Sequence, residues 1–163
     1  MASWPEYHPT ELLGRLSAAD VDFVLIGGLA VVTQGYPRLT RDIDITYAPE
    51  QANLDSLGSV LVELNARLRG VAEDVPFVPD GATLRRTMIL TLTTDLGALD
   101  LLGAPPGAPD YATLRRRADR VDVAGVRVLV ASIEDLLAMK HAAGRPRDLD
   151  DIQALEAVLR LRR

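Results

Sequence analysis

The chain has 163 residues, of which 48% are hydrophobic and 25% charged. This is the composition of an average globular domain, and it excludes disordered, collagen-like and coiled-coil proteins. The longest nearly apolar run, Phe23–Val32, is interrupted by two glycines and is far shorter than the roughly 20 residues of a membrane span. Since the chain has no cysteine and its first residues lack a secretory signal, we expect a cytoplasmic protein without disulfides, thiolate metal sites or membrane contacts.

The net charge of −5 is unevenly distributed. Residues 1–113 hold 7 basic against 15 acidic residues, whereas residues 114–163 hold 11 against 8. The overall acidity argues against indiscriminate nucleic-acid binding, but a polyanion would meet the C-terminal third more readily. All basic residues except Lys140 are arginines, which indicates a position where a compact ammonium group fits better than a forked guanidinium.

Apolar runs and glycines predict the order strand, helix, strand, helix for the first part of the chain. The alternation of polar and apolar residues after residue 41 is typical of a strand with one face in the core. The predicted elements are a buried strand over Asp22–Ile26, a tight turn at Gly27-Gly28, a short helix over Leu29–Thr33, a strand over Asp42–Tyr47 and an amphipathic helix from Glu50 to about Arg69.

The second part predicts two hairpins and two helices. Residues 111–117 fit either a helix or irregular chain. The hairpins are predicted over Thr87–Thr94 with Ala98–Leu102, and over Val121–Val123 with Val126–Val130. A helix capped by Ser132 is predicted over Ile133–Ala143, and a last helix, capped by Asp148 or Asp150, through about Leu161. We expect residues 1–131 to form an α/β core and residues 132–163 to pack on it as helices of the same compact domain.

Two aspartates stand at alternate positions of the second predicted strand. Asp42 and Asp44 share one face with their Cα atoms about 6.6 Å apart, so both carboxylates can reach one cation, although an ordinary half-exposed strand explains the pair equally well. Asp100 lies in an otherwise apolar strand, where it either faces out at an edge or is neutralised by a partner such as a metal. We expect the three carboxylates to converge on one or two hard cations.

Glycines and polar residues flank this acidic strand. Gly27 and Gly28, between a strand and a helix, let a triphosphate approach free backbone N–H groups, although a simple tight turn also favours glycine. Arg38 and Thr40 either hold phosphate oxygens or are turn residues, as does the adjacent Arg41. A Gly-Gly motif followed on the next strand by Asp-x-Asp is more specific than either alone, and it indicates phosphate donors beside metal ligands.

The C-terminal helices contribute two further candidates. Lys140 continues the apolar stripe of its predicted helix and therefore faces inward, where it either extends its ammonium group to water or contacts phosphate. Asp148 follows the basic loop of residues 145–147, and it either caps the last helix or returns to the site with those arginines.

Two parts of the chain resemble the polymerase-β-type nucleotidyltransferase superfamily, and most of all its AbiEii/MenT-like toxin branch. The first part comprises Val24–Val31 and Gly35–Ile45, and the second comprises Ser132–Lys140 and Ala143–Ile152. The resemblance implies an α+β polymerase-β-like nucleotidyltransferase fold, in which a mixed twisted sheet is flanked by helices and followed by a short C-terminal helical part.

The resemblance also implies an activity. A nucleoside monophosphate would move from an NTP to an acceptor hydroxyl with two Mg²⁺ ions, or Mn²⁺ in their place; in the toxin branch the acceptor can be tRNA and a cognate antitoxin is encoded separately. It implies that Gly27 and Gly28 form the phosphate-binding turn, that Asp42, Asp44 and Asp100 bind metal, that Lys140 binds the nucleotide phosphates, and that Asp148 assists the site. Asp100 is also the candidate to take the proton of the acceptor hydroxyl. Many members of the family have Gly-Ser where this chain has Gly27-Gly28. The role of that serine is therefore not available here.

Two alternatives remain open at this point. An antibiotic nucleotidyltransferase of the aminoglycoside type would share both motifs but needs an acidic pocket for a cationic acceptor, and the net charge of +3 in residues 114–163 argues against one. A catalytically idle nucleotide-binding or antitoxin-type partner protein is consistent with the short chain, but the intact acids at positions 42, 44 and 100 argue against lost activity.

Overall fold

A computed structural model describes residues 6–72 and 75–163. The first residues, on which the expectation of no secretory signal mainly rests, lie outside these ranges. The helices are α1 (Pro9–Ala18), α2 (Gly27–Thr33), α3 (Gln51–Glu63), α4 (Gly81–Arg86), α5 (Tyr111–Arg117), α6 (Ile133–Ala143) and α7 (Leu149–Arg162), with a 3-10 turn over Pro146–Asp148. The strands are β1 (Phe23–Ile26), β2 (Asp42–Tyr47), β3 (Arg67–Leu68), β4 (Ile89–Thr94), β5 (Gly97–Leu102), β6 (Asp119–Val123) and β7 (Val126–Val130).

The described strands form one mixed sheet in the order β3-β4-β5-β2-β1-β7-β6. Strand β2 is parallel to β5, and β1 is parallel to β7, while the other neighbours are antiparallel. The predicted α+β class, with a mixed sheet flanked by helices, is therefore confirmed. Among the described residues, no helix is long and apolar enough to cross a membrane.

The register of the central strands aligns polar side chains in one row. Asp44 of β2 is paired with Asp100 of β5, and Asp100 is paired with Thr91 of β4. Directly paired residues on neighbouring strands project from the same face of a sheet. Two aspartates that are 56 positions apart in the chain therefore lie side by side on one face.

The opposite face of β2 is packed in the hydrophobic core. Ile43 and Ile45, which alternate with the two aspartates, are fully buried in a cluster that includes Leu13 of α1 and Leu57 of α3. Buried leucines of α6 and α7 belong to the same cluster. Burial of one face thus fixes the register of β2 and presents its acidic face to the site, because a shift by one residue would exchange the two faces.

The predicted helix from Glu50 to about Arg69 is too long. Helix α3 ends at Glu63, and Asn65 takes a left-handed conformation with φ of 52°, so the chain leaves the helix and forms β3. Asparagine tolerates this conformation better than most residues and often ends helices in this way. The leucine spacing continues to the buried Leu64, which is why periodicity alone extends the helix too far.

Four other elements refine or correct the sequence predictions. Helices α1 and α4 have no counterpart among the predicted elements. The undecided segment 111–117 is helix α5, whose N-terminus is capped by the Asp110 carboxylate accepting from the Thr113 amide. The turn predicted at Gly27-Gly28 merges with α2, since the helix begins at Gly27 itself.

Candidate active site

A cavity of about 790 Å³ lies above the acidic face of the sheet, between the central strands and the two C-terminal helices. Its walls come from three distant stretches of the chain, around residues 26–44, 89–106 and 136–151. All the residues singled out from the sequence line this one cavity: Gly27, Gly28, Arg38, Thr40, Asp42, Asp44, Asp100, Lys140 and Asp148. The fold thus brings together candidates that the sequence connects only through motifs and a family resemblance.

Three carboxylates converge on the floor of the cavity. One oxygen atom each from Asp42, Asp44 and Asp100 lies within 4.8 Å of the other two. A set of carboxylate oxygens from neighbouring strands is the donor set that Mg²⁺ and Mn²⁺ prefer, so the residues present fit a hard divalent cation.

The crowding of these acids changes their protonation. Burial, followed by the charges of Asp42 and Asp100, raises the pKa of Asp44 to about 8, and Lys140 offsets part of that shift. Burial also raises the pKa of Asp100, against the lowering effect of the Arg69 guanidinium. Burial and, after it, the mutual repulsion of the three carboxylates therefore favour a bound proton on the cluster in the absence of a cation.

The two glycines allow close approach of charged side chains. Gly27 has a φ of 70°, and a Cβ atom there would collide with the Asp44 carboxylate. A Cβ atom on Gly28 would lie 2.7 Å from Nη2 of Arg38. Glycine is therefore required at position 27 on steric grounds, whereas at position 28 the end of the Arg38 side chain would have to move; the phosphate-binding role of both stays a prediction.

Lys140 is buried at the edge of the cavity, with 7% of its surface exposed. Its Nζ atom lies 3.0 Å from Oδ1 of Asp148 and 2.9 Å from Oδ2 of Asp151. The ammonium group is thus held by two carboxylates and does not extend into water. The contact to phosphate, the other interpretation of this lysine, stays a prediction.

Asp148 does not cap the last helix. It occupies the N-cap position of α7 without a side-chain cap hydrogen bond, and its carboxylate instead accepts from Lys140 and from Nε of Arg145 at 2.7 Å. Burial opposes its ionisation, but the hydrogen bonds from Arg145 and Lys140 outweigh that effect and lower the pKa of Asp148 to about 2. Of the two alternatives for this residue, the structure therefore excludes the cap and places the side chain in an ion-pair network with Lys140 and Arg145.

Two residues of the site, Asp151 and Arg69, are not among the candidates that the sequence provides. Asp151 is 3% exposed and binds both Lys140 and Arg38, whose Nε lies 2.8 Å from Oδ1 of Asp151. Its position three residues after Asp148, on the same face of a helix, was the available signal. Arg69 donates from Nη2 to Oδ1 of Asp100, and it was missed because the predicted helix was too long.

Solved structures of nucleotidyltransferases resemble this fold. The antibiotic-resistance factor ANT(2'')-Ia superposes with a TM-score of 0.61 at 15% identity, over 92% of this chain and 81% of that chain. The lincosamide antibiotic adenylyltransferase LnuA, solved with lincomycin bound, gives a TM-score of 0.60 at 18% identity, over 94% of this chain and 99% of that chain. An antigenic nucleotidyltransferase-like protein from Paracoccidioides brasiliensis gives 0.54 at 20% identity, over 95% and 78%. At these identities the likeness shows a shared fold.

Sequence comparison is more specific. No curated protein matches the chain. The family model described as "Nucleotidyl transferase AbiEii toxin, Type IV TA system" matches residues 11–160, which include every residue of the cavity named above. The chain is a nucleotidyltransferase, and it belongs to the AbiEii toxin family of type IV toxin-antitoxin systems.

Proposed function

We propose that this enzyme transfers a nucleoside monophosphate from an NTP to a hydroxyl group of tRNA, and that a cognate antitoxin opposes it in the cytoplasm. The observation that carries the proposal is the convergence of three carboxylates with the Lys140 and Arg38 cations in one cavity. An anionic triphosphate needs both a metal-binding cluster and cationic side chains, and this cavity is lined by both.

Asp42, Asp44 and Asp100 are the residues that would hold Mg²⁺, as two ions, or Mn²⁺ in their place. When bound, such cations neutralise triphosphate charge and lower the pKa of an acceptor hydroxyl. The raised pKa of Asp44 supports this assignment, because a cluster that repels itself gains most from a cation.

The cationic side chains of the cavity would bind the triphosphate. Lys140 is a point charge fixed between Asp148 and Asp151, so it loses little freedom when a phosphate approaches. Arg38 lies against Gly28 at the start of α2, and Thr40 lines the cavity beside it. Phosphate oxygens would take donors from these side chains and from the backbone at Gly27 and Gly28.

Asp100 is the candidate to receive the acceptor proton. The acceptor oxygen attacks the α-phosphorus, the bond from the α-phosphorus to the bridging oxygen breaks, and pyrophosphate leaves. The hydroxyl proton passes to a carboxylate of the cluster, most directly Asp100.

The charges of the cavity that remain unpaired favour an anionic acceptor. Asp148 and Asp151 are neutralised by their partners, and the three acids of the sheet are committed to metal. Among the described residues, Arg41 and Arg147 line the cavity without an ion pair, against Asp150 as the unpaired acid. Phosphodiesters of tRNA suit these arginines, whereas a polycationic aminoglycoside would find few free carboxylates.

The test uses purified protein, each α-labelled NTP, Mg²⁺ and either total tRNA or aminoglycosides. We expect label on tRNA that depends on metal and is absent with Asp44→Asn. Label on the aminoglycoside alone would establish the antibiotic-modifying alternative. A protein that binds NTP but labels neither acceptor would be the idle nucleotide-binding protein.

A further inference from the structure

The cation nearest to the acidic cluster comes from an unexpected part of the chain. Arg69 follows the short edge strand β3, and its backbone amide donates to the carbonyl oxygen of Thr91 at 2.9 Å. This contact extends the ladder between β3 and β4 by one residue and places Arg69 beside the row that contains Thr91, Asp100 and Asp44. The side chain crosses β4 to reach the cluster.

The guanidinium group reaches two of the three acids of the cluster, Asp100 and Asp42. Nη2 donates to Oδ1 of Asp100 and, at 3.2 Å, to the carbonyl oxygen of Leu92, while Nη1 lies 3.9 Å from Oδ2 of Asp42. The backbones of Arg69 and Asp100 are therefore both held by hydrogen bonds of the sheet. Oδ2 of Asp100 is not a partner of this arginine.

One donor of Arg69 is left without a partner. Its Nε atom is buried and makes no hydrogen bond within the described residues. A buried unpaired donor disfavours the position it occupies, so the ion pair with Asp100 must hold the side chain there. Such a position is unexpected for a surface arginine, but it is expected for an arginine whose role is to pair with an acid of the cluster.

We infer that Arg69 is a positioning residue for nucleotidyl transfer, which holds Oδ1 of Asp100 so that Oδ2 faces the reacting groups. This inference rests on the proposed function. It has two opposing consequences: the positive charge weakens cation binding by the cluster, while the fixed carboxylate speeds turnover. Removing Arg69 should therefore tighten metal binding and slow the reaction at once, a combination that a merely structural arginine would not produce.

The experiment compares wild type with Arg69→Met, Arg69→Lys and the matched control Arg67→Met. Arg67 is the neighbouring strand arginine, and it lies 3.8 Å from Asp95 outside the cavity. Mn²⁺ affinity is measured by electron paramagnetic resonance without nucleotide, and kcat and NTP KM are measured with tRNA. Thermal melts establish that each variant is folded.

For Arg69→Met we expect Mn²⁺ to bind about threefold more tightly, the size of a partly exposed charge interaction. We expect kcat to fall about tenfold or more through loss of orientation, with NTP KM nearly unchanged. Arg69→Lys should keep the Mn²⁺ affinity of wild type and recover part of kcat, and Arg67→Met should match wild type. If Arg69→Met does not fold, Arg69→Lys decides alone through its partial loss of kcat at unchanged Mn²⁺ affinity.

Several results would overturn the inference. Tighter Mn²⁺ binding with unchanged or faster turnover would mean that Arg69 only occupies the position of the metal until a metal ion displaces it. Loss of stability with unchanged Mn²⁺ affinity and kcat would make it structural. If wild type itself transfers no nucleotide, the proposed function fails, and the Mn²⁺ titration still reports separately whether Arg69 acts on the cluster.

Discussion

The two walls of the cavity contain similar residues but differ in charge balance. On the sheet, Asp42, Asp44 and Asp100 face one guanidinium, and the pKa of Asp44 is raised to about 8. On the helices, two buried acids are paired with three cations, and the pKa of Asp148 is lowered to about 2. The sheet wall is thus deficient in positive charge, whereas the acids of the helical wall are fully paired, in part by Arg38 from the loop before β2.

Aspartate therefore has two different roles in the two walls of this cavity. A carboxylate with a raised pKa is stabilised by an incoming cation, while one with a lowered pKa already has its partners. The sheet wall is therefore suited to recruit metal, and the helical wall is suited to fix the cations that meet phosphate. Substitutions confined to one wall should therefore separate these two roles.

The largest effect is expected from Asp44→Asn. Activity should fall by more than about 100-fold, beyond the range seen for residues that only support a metal ligand. Metal-free stability should be preserved or raised, because one of three repelling charges is removed. Turnover assays and thermal melts in chelator measure both, and a large loss of metal-free stability would indicate a structural role instead.

Lys140→Met should reduce both the stability of the helical wall and its interaction with NTP. It leaves Asp148 and Asp151 with only their arginine partners, so we expect a loss of about 2 kcal/mol in unfolding free energy. NTP use should weaken severely, with partial rescue by Lys140→Arg. Urea titration and nucleotide kinetics test this, with the exposed neighbour variant His141→Met as control; unchanged NTP kinetics in Lys140→Met would remove the lysine from the site.

The pH dependence should separate the two walls. The pKa of Asp148 is about 2 in the folded protein and about 3.8 in the unfolded chain. The stabilisation by its carboxylate is therefore present above about pH 4 and is lost as the pH falls through 2. The carboxyl of Asp44 has the opposite shift, so its contribution is full below about pH 4 and is lost as the pH rises through about 8.

Thermal melts in chelator across pH 2 to 9 measure both limbs. Asp148→Asn should flatten the acidic limb, and Asp44→Asn the limb from about pH 4 to 8. Added Mg²⁺ should flatten the second limb in wild type only. A wild-type curve that rises steadily from pH 4 to 8 in chelator would contradict the raised pKa of Asp44.

The smallest effect is expected at the rim. If tRNA is the acceptor, its affinity should fall steeply with salt, and removal of Arg41 or Arg147 should reduce the slope of log K against log salt by about 1 each. Filter binding at several salt concentrations checks this. An unchanged slope in both variants would place the tRNA backbone elsewhere on the molecule.

The sequence predicted much of the sheet wall because its signals are local. Asp42 and Asp44 alternate with buried isoleucines, and Asp100 interrupts an apolar strand, so each is visible within a few residues. Arg69 was not predictable in the same way, since its role depends on Asn65 ending a helix and on β3 joining the edge of the sheet. That event is set by tertiary packing, which overrides the leucine spacing.

The helical wall was predictable only in part. The inward position of Lys140 follows from its helical stripe, but its two buried partners come from a 3-10 turn and from α7. Asp148 has the sequence pattern of a helix cap, and a local pattern cannot reveal that three cations compete for the same carboxylates. Which alternative wins is decided by the packing of α6 against α7.

The ion pair between Arg38 and Asp151 spans 113 positions of the chain. During synthesis, Asp42, Asp44 and Asp100 leave the ribosome before residues 140–151. Such non-local contacts form late in folding. The helical wall therefore completes the cavity only when translation has passed Asp151, so a chain that ends earlier would hold Arg38 and the three acids of the sheet without the buried carboxylate that pairs with Arg38.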